Sequence, residues 1–263
     1  MIKISGLTFA YEKTPVLEQI DFTAQKGQLI AVLGKNGAGK STLFKCILGF
    51  LTKYEGTIEL DGRDIRALSR KELAKTAAYI PQSEIPIYNY TVFDTVLMGT
   101  TGQLSPFESP KEEQKKTAGA AIEMLGISGL AERGINDLSG GERQLALLAR
   151  AIAQQAKILV MDEPTANLDY GNQHLVMQKI NKMVKSGYTV LLSTHNPEHA
   201  LLYATHVLAL KDHRVKACGR ADTVITEELI EDLYGMAVKI TVTQTNGREI
   251  KTCIPLTGGE GLL

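Results

Sequence analysis

Gly34-Lys35-Asn36-Gly37-Ala38-Gly39-Lys40-Ser41-Thr42 is the stretch on which the fold of this chain turns. It satisfies the pattern G-x-x-x-x-G-K-[ST] without a mismatch. The run before it, Leu29 to Leu33, is continuous and apolar like a buried strand, and the run after it, Leu43 to Leu48, reads as a helix. Strand, glycine loop and helix together make a phosphate cradle, the P-loop. Gly34, Gly37 and Gly39 let the backbone approach an anion without a Cβ in the way. Loop N–H groups and the helix N-terminus then aim donors at phosphate. Lys40 adds a point charge for the β/γ oxygens, and Ser41 offers a hydroxyl to a phosphate-bound Mg²⁺. The stretch implies a nucleoside triphosphate but says neither which one nor what its energy drives.

Composition narrows the classes. A chain of 263 residues suits one large α/β unit, or one domain with a subdomain. Lys plus Arg and Asp plus Glu are 29 each, so a basic nucleic-acid face has no support. Cys46, Cys218 and Cys253 are too far apart for a disulfide framework or a zinc pattern. No apolar run approaches a bilayer's thickness, and the N-terminus lacks a signal peptide's apolar stretch. The expectation is a cytoplasmic protein that reaches a membrane only through a partner.

Hydrophobic spacing supplies the architecture. Ile2, Ile4, Leu7 and Phe9 form one strand-like series, and Leu17, Ile20 and Phe22 a second. Gly56 to Leu60 reads as a further strand closed by the turn Asp61-Gly62. Ile158 to Met161 and Thr189 to Leu192 are short continuous apolar runs, as in parallel strands buried on both faces. Between them and the loop, Thr91 to Met98, Lys111 to Leu125 and Gly140 to Gln155 read as helical, and Gly102 to Pro110 as a loop. Ile250 to Leu263 reads as a last strand with a frayed glycine-rich end. The expected fold is α/β: a P-loop NTPase core with a mainly parallel sheet, an N-terminal antiparallel β subdomain, and a helical subdomain inserted at about 83–155.

Two further stretches carry chemistry. In Val160-Met161-Asp162-Glu163-Pro164 an apolar strand ends in two carboxylates. Burial of the strand would hold Asp162 for Mg²⁺, through water, and leave Glu163 to orient or deprotonate a water attacking the γ-phosphate. An ordinary acidic turn is the alternative, and the P-loop weighs against it. In Leu138-Ser139-Gly140-Gly141-Glu142-Arg143-Gln144, Ser139 is a natural N-cap and the diglycine bares N–H groups at a helix start. A plain capped helix would look the same, but here it is a second anion site on one chain.

These stretches, in this order, resemble the ATP-binding subunits of ABC transporters over about Ile2 to Gly235. Gly34 to Thr42 matches Walker A, Gln82 the Q-loop, Leu138 to Gln144 the signature motif, and Ile158 to Glu163 Walker B with its glutamate. Leu168-Asp169 matches the D-loop end, and His195 the switch histidine. Tyr11 sits where that family stacks an aromatic on adenine. The resemblance implies ATP and Mg²⁺ as cofactors. It implies catalytic roles for Glu163, His195, Gln82 and Lys40, metal contacts from Ser41, Gln82 and Asp162, and nucleotide contacts from Tyr11, Gly34 to Thr42, Ser139, Gly140, Gly141, Glu142 and Asp169. Taken singly, Gln82, His195 and Tyr11 would each pass for an ordinary polar or packed residue. Glu142 stands where Gln is commoner and Asn167 where Ala is common; neither removes a catalytic group.

The resemblance further implies a single ATPase domain over 1–240 with 241–263 as its C-terminal extension. It implies a head-to-tail homodimer in which each Ser139 faces the other chain's Gly34–Ser41 loop. The partners it implies are a membrane permease and, indirectly, a periplasmic or lipid-anchored binding protein, with the chain peripheral on the inner membrane face. Leu68 to Ala74, Pro81-Gln82, Thr91 to Gly99 and Thr223 to Leu229 with Tyr234-Gly235 resemble the branch importing metal chelates: iron siderophore, haem, cobalamin, molybdate or tungstate. A soluble ATPase of iron–sulfur assembly type and an exporter subunit stay open as alternatives.

Overall fold

The computed structural model describes residues 1–82, 88–105, 108–245 and 247–256. The chain opens with β1 (Ile2–Tyr11), β2 (Thr14–Ala24) and β3 (Leu29–Leu33), then α1 (Lys40–Ile47), β4 (Glu55–Leu60), β5 (Arg63–Asp64), α2 (Arg70–Thr76) and β6 (Ala77–Ile80). Three helices follow, α3 (Val92–Leu97), α4 (Glu112–Leu125) and α5 (Gly140–Ala153). Next come β7 (Ile158–Met161), α6 (Tyr170–Lys185), β8 (Thr189–Thr194), α7 (Pro197–Tyr203), β9 (His206–Lys211) and β10 (Arg214–Arg220). The chain closes with α8 (Ala221–Val224), α9 (Glu227–Tyr234), β11 (Val238–Thr245) and β12 (Arg248–Pro255).

Six strands form the central sheet in the order β10-β9-β3-β8-β7-β6, parallel except for the β10–β9 pair. Every residue of β3, β7 and β8 is buried, which is why these strands read as unbroken apolar runs rather than alternating ones. Alternate side chains serve two cores. Leu29, Ala31 and Leu33 face the cluster that holds α5, α6 and α9. Ile30 and Val32 face the cluster around α1 and the antiparallel sheet β2-β1-β4-β5. In that second sheet Ile2, Ile4 and Leu7 pair with Ala24, Phe22 and Ile20, and the register slips between Ile4 and Leu7 beside Gly6, whose φ is +58°. The loop between β3 and α1 therefore emerges where two sheets meet.

β6 and β7 are sheet neighbours, and α3, α4 and α5 lie on the chain between them. Thr91 caps α3, accepting the Asp94 N–H at 3.0 Å. The helix gives way to a 3₁₀ segment over Met98–Gln103, so Gly102 and Gln103 are not the loop the sequence suggested. Ser83–Ile87, at the start of the expected insertion, and Pro106-Phe107 lie outside the described residues. So does the expected glycine-rich end, 257–263.

β4 and β5 follow the loop yet complete the antiparallel sheet, and β10 turns back along β9. Five strands were not foreseen: β5, β6, β9, β10 and β11. The last strand, β12, pairs with β11 as a hairpin that packs against α7.

Candidate nucleotide site

Two of the loop glycines are required by packing. A Cβ on Gly34 would stand 2.6 Å from the Leu210 carbonyl oxygen. On Gly39 it would meet the Val16 carbonyl oxygen at 2.8 Å and Leu17 Cδ2 at 2.9 Å, and φ there is +97°. The loop can thus lie flat between β9 and β2. The first N–H groups of α1 have no intrahelical partner. They open on a cavity of about 440 Å³ lined by Asn36, Gly37, Gly39 to Thr42, Val16, Gln82, Asp162 and Glu163.

Lys40 is buried, and its Nζ donates to the Gly34 carbonyl at 2.7 Å and the Lys35 carbonyl at 3.1 Å. Burial pulls its pKa below the ordinary lysine value, and the Glu163 and Asp162 carboxylates oppose that pull. The β7 strand delivers both acids. The Asp162 N–H donates to the Ile80 carbonyl at 2.9 Å, which extends the β6–β7 pairing by one step. Ser193 Oγ on β8 donates to Asp162 Oδ1 at 2.6 Å and accepts the Glu163 N–H at 2.8 Å. One fully buried hydroxyl therefore holds the side chain of one acid and the backbone of the next.

Glu163 has a φ of +45°, the left-handed region, which costs a residue with a Cβ about 1–3 kcal/mol. The strained backbone turns its carboxylate into the cavity mouth. There Gln82 Nε2 donates to Oε2 at 3.4 Å, His195 Nδ1 lies 3.2 Å from Oε2, and Lys40 Nζ lies 3.9 Å from Oε1. His195, just past β8, is 61% exposed and can move; Glu163 is 12% exposed and is held. A second hollow of about 330 Å³ continues past Gln82 and Glu163 to Thr165–Asn167 and His195. Three residues far apart in sequence, Lys40, Gln82 and His195, thus converge on the Glu163 carboxylate beside an anion cradle. That arrangement can fix a terminal phosphate and place a base against an incoming water.

Other expected residues lie elsewhere. Ser139 caps α5 in a reciprocal box with Glu142: Glu142 Oε2 accepts the Ser139 N–H at 2.9 Å and its hydroxyl at 2.8 Å. Those bonds hold the Glu142 carboxyl below the usual range. Asp169 caps α6 and accepts the Asn172 N–H at 2.8 Å and Nδ2 at 2.7 Å, which lowers its pKa in the same way. Ser139, Gly140, Gly141, Glu142 and Asp169 line neither hollow. Tyr11 lines neither either; its ring stands edge-on to Phe9 at 4.9 Å. Lys35 and Ala38 line a separate hollow of about 260 Å³ behind the loop, with Leu210 to His213 and Leu233. Sequence reasoning gave no role to Val16, which only the β2 path places over Gly39, or to Ser193, which looks like any hydroxyl in a buried strand. The one signal for Ser193 was its place between a continuous apolar run and His195.

Residues 17–166, more than half of the chain, match the family model of the ABC transporter ATPases. The chain belongs to the ABC transporter family. As an ABC ATPase it binds nucleotide. It is 38% identical over 236 residues, 89% of this chain and 92% of the other, to a Helicobacter pylori protein assigned to iron chelatin transport. Identity is 35% to the hemin import ATP-binding protein of Deinococcus radiodurans, over 91% of this chain and 92% of the other. Among solved structures, one described as an inward-facing metal-chelate type ABC transporter matches with a TM-score of 0.87 and 31% identity, over 97% of each chain. A nucleotide-free ABC cassette matches at 0.77 and 27%, covering 89% of this chain and 95% of the other.

Proposed function

We propose that this ABC ATPase powers uptake of a metal chelate or oxyanion (iron siderophore, haem, cobalamin, molybdate or tungstate) through a separate membrane permease. The observation that carries the hydrolytic part is the convergence of Gln82, His195 and Lys40 on the Glu163 carboxylate at the cavity lip. In this assignment Glu163 accepts the proton of the attacking water, His195 and Gln82 orient it, and Lys40 leaves the Gly34 and Lys35 carbonyls to meet phosphate. The loop amides fit a polyphosphate, because any side chain on Gly34 or Gly39 would fill the space the backbone needs. Ser41, Gln82 and Asp162 are the residues that would hold Mg²⁺, and bound there it would neutralise phosphate charge.

Ser139 and Gly140 stand exposed at the start of α5 while Gly141 is buried, and none of the three lines the cavity beside the chain's own loop. That is what a site shared between two head-to-tail copies requires, with Asp169 on the adjoining surface. Among the described residues no helix is long and apolar enough to cross a membrane, so peripheral attachment on the inner membrane face calls for a docking surface. A hollow of about 470 Å³ lined by Phe50, Arg70, Leu73, Tyr79 and Gln154 provides one, with Phe50 62% exposed. β6 carries Tyr79 in this hollow and leads to Gln82 in the nucleotide site, a short rigid path between the two. The chelate class comes from relatives named for iron chelatin and hemin transport.

Hydrolysis and transport assays test the proposal. Lys40→Ala should lose nucleotide affinity and turnover together, while Glu163→Gln should bind ATP and turn over at least about a hundredfold more slowly. Unchanged turnover in Glu163→Gln would remove the base from its role. Vesicles holding the chain with its permease should take up one cargo of the class only with ATP; ATP-independent uptake would refute the coupling.

A further inference from the structure

A second polar cluster lies between α6 and α7, outside the phosphate cavity. Tyr170, the first residue of α6, is 74% exposed beside Asp169, and its ring meets that of His174 edge-on at 4.5 Å. The His174 ring lies 5.8 Å from that of His199, and its Nδ1 is 2.8 Å from the Tyr203 hydroxyl. His199 is only 3% exposed, and its Nδ1 lies 3.5 Å from Oγ1 of Thr165, which is also buried. Thr165 opens the segment that leads from Glu163 to Asp169, and Thr165 to Asn167 and His199 line the hollow that Glu163 and His195 share.

α7 begins at Pro197, two residues after His195, and has only seven residues. A helix that short does not set its own orientation; packing does. Its buried side chains are His199 and Ala200. An aliphatic residue at 199 would fill the space as well, whereas a ring nitrogen facing Thr165 adds direction. The Tyr203–His174 bond fixes the other end of α7 to α6. One cluster thus joins the helix that follows His195, the segment next to Glu163, and an exposed tyrosine beside the α6 cap.

We propose that His174 and His199 are positioning residues: with Tyr170 and Tyr203 they hold α7, and so His195, in register with the Thr165–Asp169 segment, so that seating Tyr170 against a second chain sets His195 relative to Glu163. This inference rests on the paired-chain reading above. A shift of about 1 Å in a catalytic group costs on the order of a hundredfold in rate, so slack in α7 acts on turnover and not on nucleotide affinity.

The test uses the full-length chain and Tyr203→Phe, which removes one hydroxyl, with His199→Leu, which keeps the volume and removes the ring nitrogens. Both should retain the affinity of a fluorescent ATP analogue within about twofold and lose about tenfold or more in kcat, with KM little changed. His199→Gln, which restores a polar group toward Thr165, should recover part of the rate. Tyr170→Ala should flatten the ATP dependence of the rate without weakening binding. Parental kcat in both Tyr203→Phe and His199→Leu would overturn the proposal. So would losses of kcat and affinity in parallel with a lowered melting temperature, since packing alone explains those. If the unmodified chain stays monomeric with ATP, the pairing reading fails and Tyr170 loses its role, while kcat of Tyr203→Phe still decides whether the cluster positions His195.

Discussion

Replacing Ser193 by alanine removes one buried oxygen and leaves two groups of the site without their partner. Ser193 Oγ donates to Asp162 Oδ1 at 2.6 Å and accepts the Glu163 N–H at 2.8 Å, and the residue has no solvent exposure. A bond to a charged group contributes about 1.5–3 kcal/mol, and a buried amide left unpaired costs about 1–3 kcal/mol. Water entering from the adjoining cavity offsets part of this, so a loss of about 2–4 kcal/mol is expected, a fall in Tm on the order of 5–15 °C for a chain of this size. Activity should fall further than stability implies. The bond from the Glu163 N–H helps hold a backbone strained by about 1–3 kcal/mol, and its release lets the carboxylate swing away from His195 and Gln82. A displacement of about 1 Å translates into roughly a hundredfold loss of kcat. Steady-state ATP hydrolysis, measured well below the variant's Tm, reads the second effect and thermal melting the first. A variant with parental Tm and kcat within twofold would refute the idea that Ser193 holds the two acids.

Gly39→Ala places a Cβ against the Val16 carbonyl oxygen at a φ of +97°; it should cost at least about 1–3 kcal/mol and weaken ATP binding, checked by melting and by titration. Burial, with the nearby His174 and His195, pushes His199 down to about 4 from its ordinary value near 6.5. The unfolded chain therefore takes up a proton below about pH 6.5 that the folded chain refuses until about pH 4. Stability should be level above that window and fall as pH drops through it, by at most about 3 kcal/mol. His199→Leu should flatten this segment of a denaturation-versus-pH curve; an unchanged slope would show that other groups produce it.

The parts of the fold and site that the sequence revealed are those where physics imposes a narrow residue pattern. Gly34 to Thr42 could be read because only glycine allows the backbone approaches at Gly34 and Gly39, and the buried runs of β3, β7 and β8 because both faces of those strands are covered. β10 escaped because its residues alternate only between half-buried and exposed, giving weak apolar contrast, and β11 because it has a single buried residue, Val238. β6 is four residues long at the sheet edge, too short to show a period. Val16 and Tyr11 show the limit at the site itself. The aromatic at the end of β1 drew attention, yet a β-branched side chain on the next strand lines the cavity. Ser193 had only its place between an apolar run and His195 to mark it, because its role depends on pairing β7 with β8 in one register. Ser139 was legible as a helix cap, and that it lines neither hollow of its own chain appears only in three dimensions.

The central claim is that this cavity is half of a site and that a second copy supplies the rest. Its most direct measurement is the mass in solution of Glu163→Gln with ATP and Mg²⁺, beside the same chain also carrying Ser139→Arg. The single variant should double its mass on adding ATP, because binding persists while hydrolysis no longer releases the pair. The double variant should bind ATP with similar affinity and remain one chain, because the arginine occupies the surface that faces the other copy's phosphates. A Glu163→Gln chain that binds ATP yet stays monomeric at every concentration, or a Ser139→Arg chain that pairs as readily, would contradict the account.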